Sequence, residues 1–148
     1  MSFAGIPFAL YPVDDDHKLF ISPAIHDWSL LDPREIKVVF DLEGGIDHGV
    51  PTLPNHTLYV YFPIRDDEDD LPDLERLRGL AALGARLVKA GQPVLSHCGM
   101  GLNRSALLAG LILIELGFSG PAAVARLRER RQGALFNPAF ADFLASHE

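Results

Sequence analysis

A single cysteine at the junction between a predicted strand and a predicted helix constrains this chain most strongly. The junction reads His97-Cys98-Gly99-Met100-Gly101-Leu102-Asn103-Arg104-Ser105. The residues Pro93–Leu95 before it favour a β-strand. The long apolar run from Ala106 to Leu116 after it favours a helix that is buried on nearly all sides. The sequence therefore places one thiol and one arginine at the start of a central helix.

The same junction has the composition of an anion-binding loop with a nucleophile at its centre. A helix start offers free backbone N–H groups and the positive end of the helix dipole, and Gly99 and Gly101 allow the backbone to curl around an anion. Arg104 adds a planar fork of donors for bidentate phosphate binding. This positive field favours the thiolate form of Cys98, and Ser105 is placed to donate a hydrogen bond to that sulfur. The predicted phosphate-binding residues are Gly99, Met100, Gly101, Leu102, Asn103 and Arg104.

The His-Cys-x5-Arg-Ser pattern resembles the signature loop of the cysteine-dependent protein tyrosine phosphatase superfamily. The chain length and the rest of the pattern look most like the small dual-specificity phosphatases, and the similarity extends over nearly the whole chain. In that family the cysteine forms a phosphocysteine intermediate and the arginine holds the phosphate, and these roles carry over to Cys98 and Arg104. The hydroxyl role carries over to Ser105, and the role of a buried, loop-ordering histidine to His97. The resemblance implies neither a cofactor nor a metal.

A phosphatase of this kind also needs a general acid that protonates the leaving oxygen. The segment from Tyr59 to Asp70 is typical of a strand that ends in an acidic loop. The resemblance places the acid at Asp66, which lies 32 residues before the cysteine. Asp67 is the nearest rival, and Glu68 is a weaker one. The predicted catalytic set is therefore Cys98, Arg104, Asp66 and Ser105.

Alternating strands and helices predict an α/β fold, with a central, mostly parallel twisted sheet and helices on both faces. Strands are predicted at Phe8–Leu10, Leu19–Ile21, Ile36–Phe40, His56–Phe62 and Pro93–Ser96. Helices are predicted at Trp28–Leu31, at Leu74–Val88 with Asp70 as its cap and Pro72 and Asp73 in its first turn, at Ala106–Leu116, from Pro121, and at Asn137–Ser146. We expect one catalytic domain over residues 1–148, with the phosphate loop at the carboxyl end of a central strand.

Composition restricts the partners and the compartment. The net charge is −7, and seven of the eleven residues in 66–76 are acidic, so a nucleic-acid partner is not expected. The later arginines are expected to form an ordinary solvated helix face; they are Arg126, Arg128, Arg130 and Arg131. The histidines His26, His48 and His56 lack metal-ligand spacing and are expected in loops or at the surface. One cysteine, no leader pattern in the first 13 residues and no long apolar run predict a cytoplasmic protein without a membrane partner.

Other functions fit parts of the same loop. A rhodanese-type sulfurtransferase also has a cysteine loop at a helix start, but its loop is typically one residue shorter between cysteine and arginine. A non-catalytic phosphate-binding module usually lacks one of Cys98 and Arg104, and both are present here. An RNA 5′-triphosphatase shares the Gly101–Arg104 pattern but prefers a basic groove. A phosphoinositide phosphatase often carries lysines where this chain has Gly99 and Met100. Phosphotyrosine, phosphoserine or phosphothreonine, and small phosphoesters stay open as substrates, and the oligomeric state stays open too.

Overall fold

Five short strands form one sheet in the computed structural model, which describes residues 6–148. They are β1 (Tyr11–Pro12), β2 (Leu19–Ser22), β3 (Val38–Asp41), β4 (Leu58–Tyr61) and β5 (Val94–His97). The sheet order is β1-β2-β5-β3-β4, in which β1 is antiparallel to β2 and all other neighbours are parallel. Strand β5 is therefore central, and its carboxyl end leads into the cysteine loop.

Four α-helices and one 3₁₀ helix complete the described part of the chain. The 3₁₀ helix spans Trp28–Arg34, and the α-helices are α1 (Leu74–Lys89), α2 (Arg104–Glu115), α3 (Gly120–Arg130) and α4 (Pro138–Ala145). Helix α2 is buried from Ser105 to Leu113, as its almost uniformly apolar sequence predicts. No helix within residues 6–148 has the length and apolar character that crossing a membrane requires.

The core has two layers, because alternate residues of a strand point to opposite faces of the sheet. One face packs against the α-helices through Leu19, Ile21, Val38, Phe40 and Val94. The opposite face packs against the 3₁₀ helix, and its cluster contains Phe20, Val39, Leu95, Trp28 and Leu31. The predicted α/β sheet with helices on both faces is confirmed, although all four α-helices lie on one face. The expected single domain over 1–148 stays a prediction, since residues 1–5 are not described.

Two predicted boundaries are wrong. The first strand is not Phe8–Leu10 but Tyr11–Pro12, because Asp14 forms a tight turn in which its carboxylate accepts the N–H groups of Lys18 and Leu19. That turn places Tyr11 opposite Ile21 in the antiparallel pair.

The cap of α1 is also displaced along the chain. Asp73, rather than Asp70, is the N-cap, and its carboxylate accepts the N–H of Arg76 at 3.1 Å. The apolar periodicity begins at Leu74, so only the acidic residue directly before it can bond to the first turn. Asp70 and Pro72 consequently precede the helix and belong to the acidic loop.

Candidate active site

The loop from Cys98 to Asn103 joins β5 to α2 and folds back against the end of β2. Gly101 has a φ of +70°, and an added Cβ would lie 2.7 Å from the carbonyl carbon of Ser22. Only glycine fits this close approach of two backbones. Gly99 does not have a positive φ; its carbonyl oxygen accepts the N–H of Ala24 at 3.1 Å. Of the two glycines predicted to let the backbone curl, Gly101 is therefore the one whose conformation requires glycine.

The thiol lies at the base of this loop. Cys98 is 2% exposed, and its Sγ lies 3.4 Å from the Oγ of Ser105 on the first turn of α2. Ser105 is fully buried, and its carbonyl oxygen accepts a hydrogen bond from the Ser96 hydroxyl at 3.0 Å. The bond to Ser96 therefore fixes the backbone of Ser105, whose hydroxyl lies within hydrogen-bond reach of the sulfur.

Helix α2 begins at Arg104, and no side chain caps it. Asn103 occupies the N-cap position, but its side chain makes no hydrogen bond to the first turn. The free N–H groups of that turn and the positive end of the dipole face the cysteine loop, where they can bind an anion. The Nε of Arg104 is buried and has no hydrogen-bond partner within residues 6–148. A buried donor of this kind is costly unless a ligand oxygen accepts from it.

His97 is buried behind the thiol and is connected to two carboxylates. Its Nε2 lies 2.7 Å from Oδ2 of Asp47 and 3.4 Å from Oδ1 of Asp41. Burial lowers the pKa of His97, but the hydrogen bond to Asp47 and the charges of Asp47, Asp41 and Glu43 outweigh it, so the pKa is raised. Nδ1 has no partner among the described residues, so the carboxylates act on the ring through Nε2.

Tyr59 on β4 closes this network. Its hydroxyl donates to Oδ2 of Asp41 and accepts the backbone N–H of Asp47, the latter at 2.8 Å. Burial and the hydrogen bond to Asp41 raise the pKa of Tyr59, and burial raises the pKa of Asp41. Trp28 packs edge-on against the Tyr59 ring, with the ring centroids 5.9 Å apart. Trp28 therefore supports the site from beneath.

Glu43 lies within the influence of two charges, that of His97 in the network and that of Arg104 at the start of α2. Glu43 is half-buried, and burial raises its pKa, while the charges of His97 and Arg104 oppose that rise. Sequence analysis predicted a loop-ordering role for His97 but missed Asp41, Asp47 and Glu43. The signal available was weak: three carboxylates flank a glycine turn directly after a predicted strand, as they do in many surface loops.

Ligand atoms that could hold a metal ion form one group within the described residues, and it is this network. The candidate atoms of Asp41, Asp47 and His97 all lie within 4.8 Å of one another. The carboxylate oxygens of this group already accept hydrogen bonds from the His97 imidazole and the Tyr59 hydroxyl, so they have partners without a metal ion. The histidines expected at the surface are elsewhere: His26 and His48 are exposed, and with His56 they line an open pocket beside Trp28.

The predicted acid Asp66 lies beside the cysteine loop, although it is far from it in sequence. Its Oδ2 accepts from Nδ2 of Asn103 at 2.9 Å, and its Oδ1 accepts from Nδ2 of Asn137 at 2.7 Å. The side chain of Asp67 instead accepts the N–H of Asp69, within the acidic loop. The structure therefore brings Asp66 to the loop through direct side-chain contacts, and Asn137 is a site residue that sequence analysis did not identify.

The four arginines expected on a solvated helix face instead bond to carbonyl oxygens of neighbouring segments, although Arg128 is exposed, and Arg131 at the end of α3 is the one bonded to the cysteine loop. Arg128 donates to the carbonyl of Leu135 at 3.0 Å, and Arg131 donates to the carbonyl of Met100 at 3.3 Å. Arg126 and Arg130 both pair with Asp15 and bond to carbonyls at the start of the sheet. Carbonyl oxygens in turns need donors, and long guanidinium side chains reach them from the helix.

Comparison with solved structures connects this geometry to known proteins. Human DUSP28 superimposes with a TM-score of 0.77 at 23% sequence identity, covering 95% of this chain and 93% of that chain. A mouse dual-specificity phosphatase complexed with zinc tungstate gives a TM-score of 0.75 at 23% identity, covering 95% and 88%. A human tyrosine phosphatase-like serine/threonine/tyrosine-interacting protein gives 0.73 at 21%, covering 93% of each chain. The chain has the fold of the small dual-specificity phosphatases.

Sequence comparison gives a shorter match to the same group. The PRL-1 phosphatase of Drosophila melanogaster is 49% identical over 39 residues, which are 26% of this chain. The match spans only 22% of that curated relative. No protein-family model matches the chain. The dual-specificity phosphatase fold predicted from the cysteine loop is thus confirmed, and the roles of the individual residues stay predictions.

Proposed function

We propose that this protein is a cysteine-dependent phosphatase that hydrolyses phosphate monoesters on proteins through a phosphocysteine intermediate. One observation carries the proposal: a buried thiol, a hydroxyl, an uncapped helix start and a distant carboxylate meet around one loop. Cys98 and Ser105 supply the first two, and Asp66 joins them across 32 residues of sequence. A structural cysteine would require none of these partners.

The first half of the reaction transfers the phosphoryl group to sulfur. The Cys98 thiolate attacks phosphorus, and an S–P bond forms while the bond from phosphorus to the leaving oxygen breaks. Asp66 donates its proton to that oxygen, so the product leaves as a neutral alcohol or phenol. Arg104 and the N–H groups at the start of α2 stabilise the equatorial oxygens of the transferring group. The unpartnered Nε of Arg104 supports this assignment, because a phosphate oxygen would satisfy it.

The second half returns the enzyme to its starting state. The Asp66 carboxylate accepts a proton from water, whose oxygen attacks phosphorus and releases inorganic phosphate. The S–P bond breaks, and its electron pair returns to the sulfur of Cys98. The Ser105 hydroxyl, 3.4 Å from that sulfur, donates a hydrogen bond to the departing thiolate. Each step therefore has a donor or an acceptor within the site, and no cofactor enters the scheme.

The charge around the site supports a phosphoprotein or a small phosphoester as the substrate. The loop that carries Asp66 continues with Asp67, Glu68, Asp69 and Asp70, so a polyanion such as RNA would be repelled at the rim. We infer that the protein acts on phosphotyrosine, phosphoserine or phosphothreonine, in the cytoplasm, where a reactive thiol stays reduced.

Steady-state rates on a matched panel test the proposal. The panel contains phosphotyrosyl and phosphothreonyl peptides, an inositol phosphate, an RNA 5′-triphosphate, and thiosulfate with cyanide. We expect hydrolysis of at least one phosphopeptide, absent in Cys98→Ser, and a covalent phosphoenzyme on Cys98 after rapid acid quenching. Preferred turnover of the RNA triphosphate or of thiosulfate would replace this function with one of its alternatives. Binding of phosphate without any turnover would identify a binding module.

A further inference from the structure

Two asparagine side chains meet on one carboxylate at the edge of the site. Asn103 Nδ2 donates to Asp66 Oδ2 at 2.9 Å, and Asn137 Nδ2 donates to Asp66 Oδ1 at 2.7 Å. Asn137 Nδ2 also donates to the carbonyl oxygen of Asp67 at 3.2 Å. Each oxygen of the carboxylate therefore has its own amide donor, one from the phosphate loop and one from the start of α4.

Both amides are buried, and their oxygen atoms are engaged elsewhere. Asn103 is 2% exposed and Asn137 is 1% exposed. Oδ1 of Asn103 accepts the backbone N–H of Asn137 at 3.0 Å, while Oδ1 of Asn137 accepts the N–H groups of Ala139 and Phe140 at the start of α4. An amide that accepts on one side has its donor side fixed. Neither side chain can turn away from Asp66 without losing a second hydrogen bond.

Asn103 bonds to Asp66 instead of capping helix α2. Asparagine at an N-cap commonly accepts an N–H group of the first helical turn. Here the Asn103 backbone has a φ of −114° and a ψ of −62°, and the side chain makes no such bond to α2. It bridges the acidic loop to Asn137 instead, and the N–H groups that it would have capped stay open for the phosphate.

The acidic loop requires an external anchor, because its like charges repel one another. Residues 66–70 are five consecutive carboxylates, and Asp66 itself is exposed. Asp67 bonds through its side chain to Asp69, within the loop. The two asparagines thus connect this self-repelling segment to the phosphate loop, and they do so through Asp66.

We propose that Asn103 and Asn137 are positioning residues that hold Asp66 over the phosphate loop while it protonates the leaving oxygen. The inference rests on the proposed function. Each carboxyl oxygen has two lone pairs. One hydrogen bond from an asparagine amide to each oxygen therefore leaves a lone pair for the transferable proton. These two hydrogen bonds from Asn103 and Asn137, here called the clamp, prevent rotation of the carboxyl group. Displacement of a reacting group by about 1 Å can lower the rate about a hundredfold.

Variants that remove one amide donor at a time test the clamp. Asn137→Ser keeps a capping oxygen for α4 but loses the donor to Asp66, and Asn103→Ala removes the other donor. The substrates are phenyl phosphate, whose leaving group needs a proton, and a difluorinated umbelliferyl phosphate, whose leaving group does not. We expect kcat on phenyl phosphate to fall about tenfold to a hundredfold in both variants, and kcat on the activated ester to change little in Asn137→Ser. Because Asn103 also belongs to the predicted phosphate-binding set, Asn103→Ala is judged by the ratio of its two rates, which should fall as it does in Asn137→Ser.

Two controls separate positioning from simple damage. Ser119→Ala removes the cap of α3, whose hydroxyl accepts the N–H of Ala122 at 3.2 Å, and it should not change the ratio of the two rates. In an Asp66→Asn background, Asn137→Ser should produce no further leaving-group effect, because both changes act through one carboxylate.

The possible outcomes distinguish the two levels of inference. An active wild type whose clamp variants lose activity equally on both substrates, or lose none, would overturn the clamp alone. A wild type that hydrolyses neither ester would overturn the proposed function and the clamp together. Selective loss on phenyl phosphate, absent in the Asp66→Asn background, would establish the clamp.

Discussion

Nε2 of His97 lies 2.7 Å from Oδ2 of Asp47, so the residue directly before the thiol bonds to a carboxylate 50 positions away. The contact is almost fully buried, since the His97 side chain has no exposed surface and that of Asp47 has 9%. It joins the base of the cysteine loop to the segment between β3 and β4. The residue directly before Cys98 is therefore tied to that segment through a buried, charged contact.

The first prediction concerns the pH dependence of stability. The pKa of His97 is raised in the folded protein. The interactions of protonated His97 with its carboxylates therefore contribute fully to the free energy of unfolding below the unfolded-state pKa of about 6.5. The contribution is lost as pH rises through the folded-state pKa. Asp47→Asn should lower the pKa of His97 and destabilise the protein by about 1–3 kcal/mol at pH 6. The difference from wild type should shrink as pH rises.

Urea unfolding at several pH values above about 5, where exposed carboxylates of ordinary pKa are ionised, measures this effect, and NMR titration of His97 measures its pKa. Asp16→Asn is the control, because it removes the same charge from an exposed position. A stability difference that stays constant with pH, or an unchanged His97 titration in Asp47→Asn, would contradict the assignment of the ion pair.

The second prediction concerns the nucleophile. Cys98→Ser should bind inorganic phosphate or vanadate but show no turnover, because a serine hydroxyl stays protonated near neutral pH and the side-chain partner of position 98 within residues 6–148 is the Ser105 hydroxyl, which is not a base. Iodoacetate and peroxide should inactivate the wild type, and bound vanadate should protect it. The measurement is the rate of inactivation with and without vanadate. Substantial hydrolysis of an aryl phosphate by Cys98→Ser would contradict the assignment of Cys98 as the nucleophile.

The third prediction concerns Arg104. Arg104→Lys keeps the positive charge but loses the planar fork that can contact two phosphate oxygens at once. We expect a large decrease in kcat, because the fork acts on the equatorial oxygens of the transferring group. The control is Arg78→Lys, an exposed residue of α1 that lies against Phe143. Wild-type kinetics in Arg104→Lys would mean that residues 98–104 do not bind the phosphate.

The fourth prediction concerns the shape of the loop. Gly101→Ala should destabilise the protein by about 1–2 kcal/mol through its positive φ alone, with overpacking against Ser22 adding to that cost. Gly91→Ala separates the two effects, since Gly91 has a φ of +83° but nothing within 4 Å of its added Cβ. Thermal unfolding of both variants gives the comparison. Equal losses would show that the contact with Ser22 is not tight.

These residues also show which parts of the site sequence reasoning can reach. Cys98, Arg104 and Ser105 lie within one turn and one helix start, so their spacing alone predicts that they meet. Asp41 and Asp47 have no such constraint, because only the pairing of β3 with β5 brings them to His97. Only one of the two roles of Asn137 is predictable from the sequence. Its place before Pro138 predicts a helix cap, but an amide has a donor left after its oxygen caps the helix, and sequence does not show where that donor points.

The last prediction concerns the general acid. Asp66→Asn should lower kcat by about 10²–10⁴-fold on substrates with poor leaving groups, which is the usual contribution of acid catalysis. Activated aryl phosphates should lose less, because their leaving groups scarcely need a proton. The pH profile of kcat/KM should be bell-shaped in the wild type, and the limb that falls at higher pH, which requires protonated Asp66, should flatten in Asp66→Asn.

Asp67→Asn is the matched control for this assignment, because Asp67 is adjacent but bonds through its side chain to Asp69 within its own loop. If Asp67→Asn shows the leaving-group effect and Asp66→Asn does not, then the acid is Asp67. In that case the hydrogen bonds from Asn103 and Asn137 to Asp66 serve to position Asp67, since Nδ2 of Asn137 also donates to the carbonyl oxygen of Asp67 at 3.2 Å. If neither variant shows the effect, the acid lies elsewhere, with Glu68 as the next candidate in this loop, or the reaction needs no carboxyl acid, as in the RNA triphosphatase alternative.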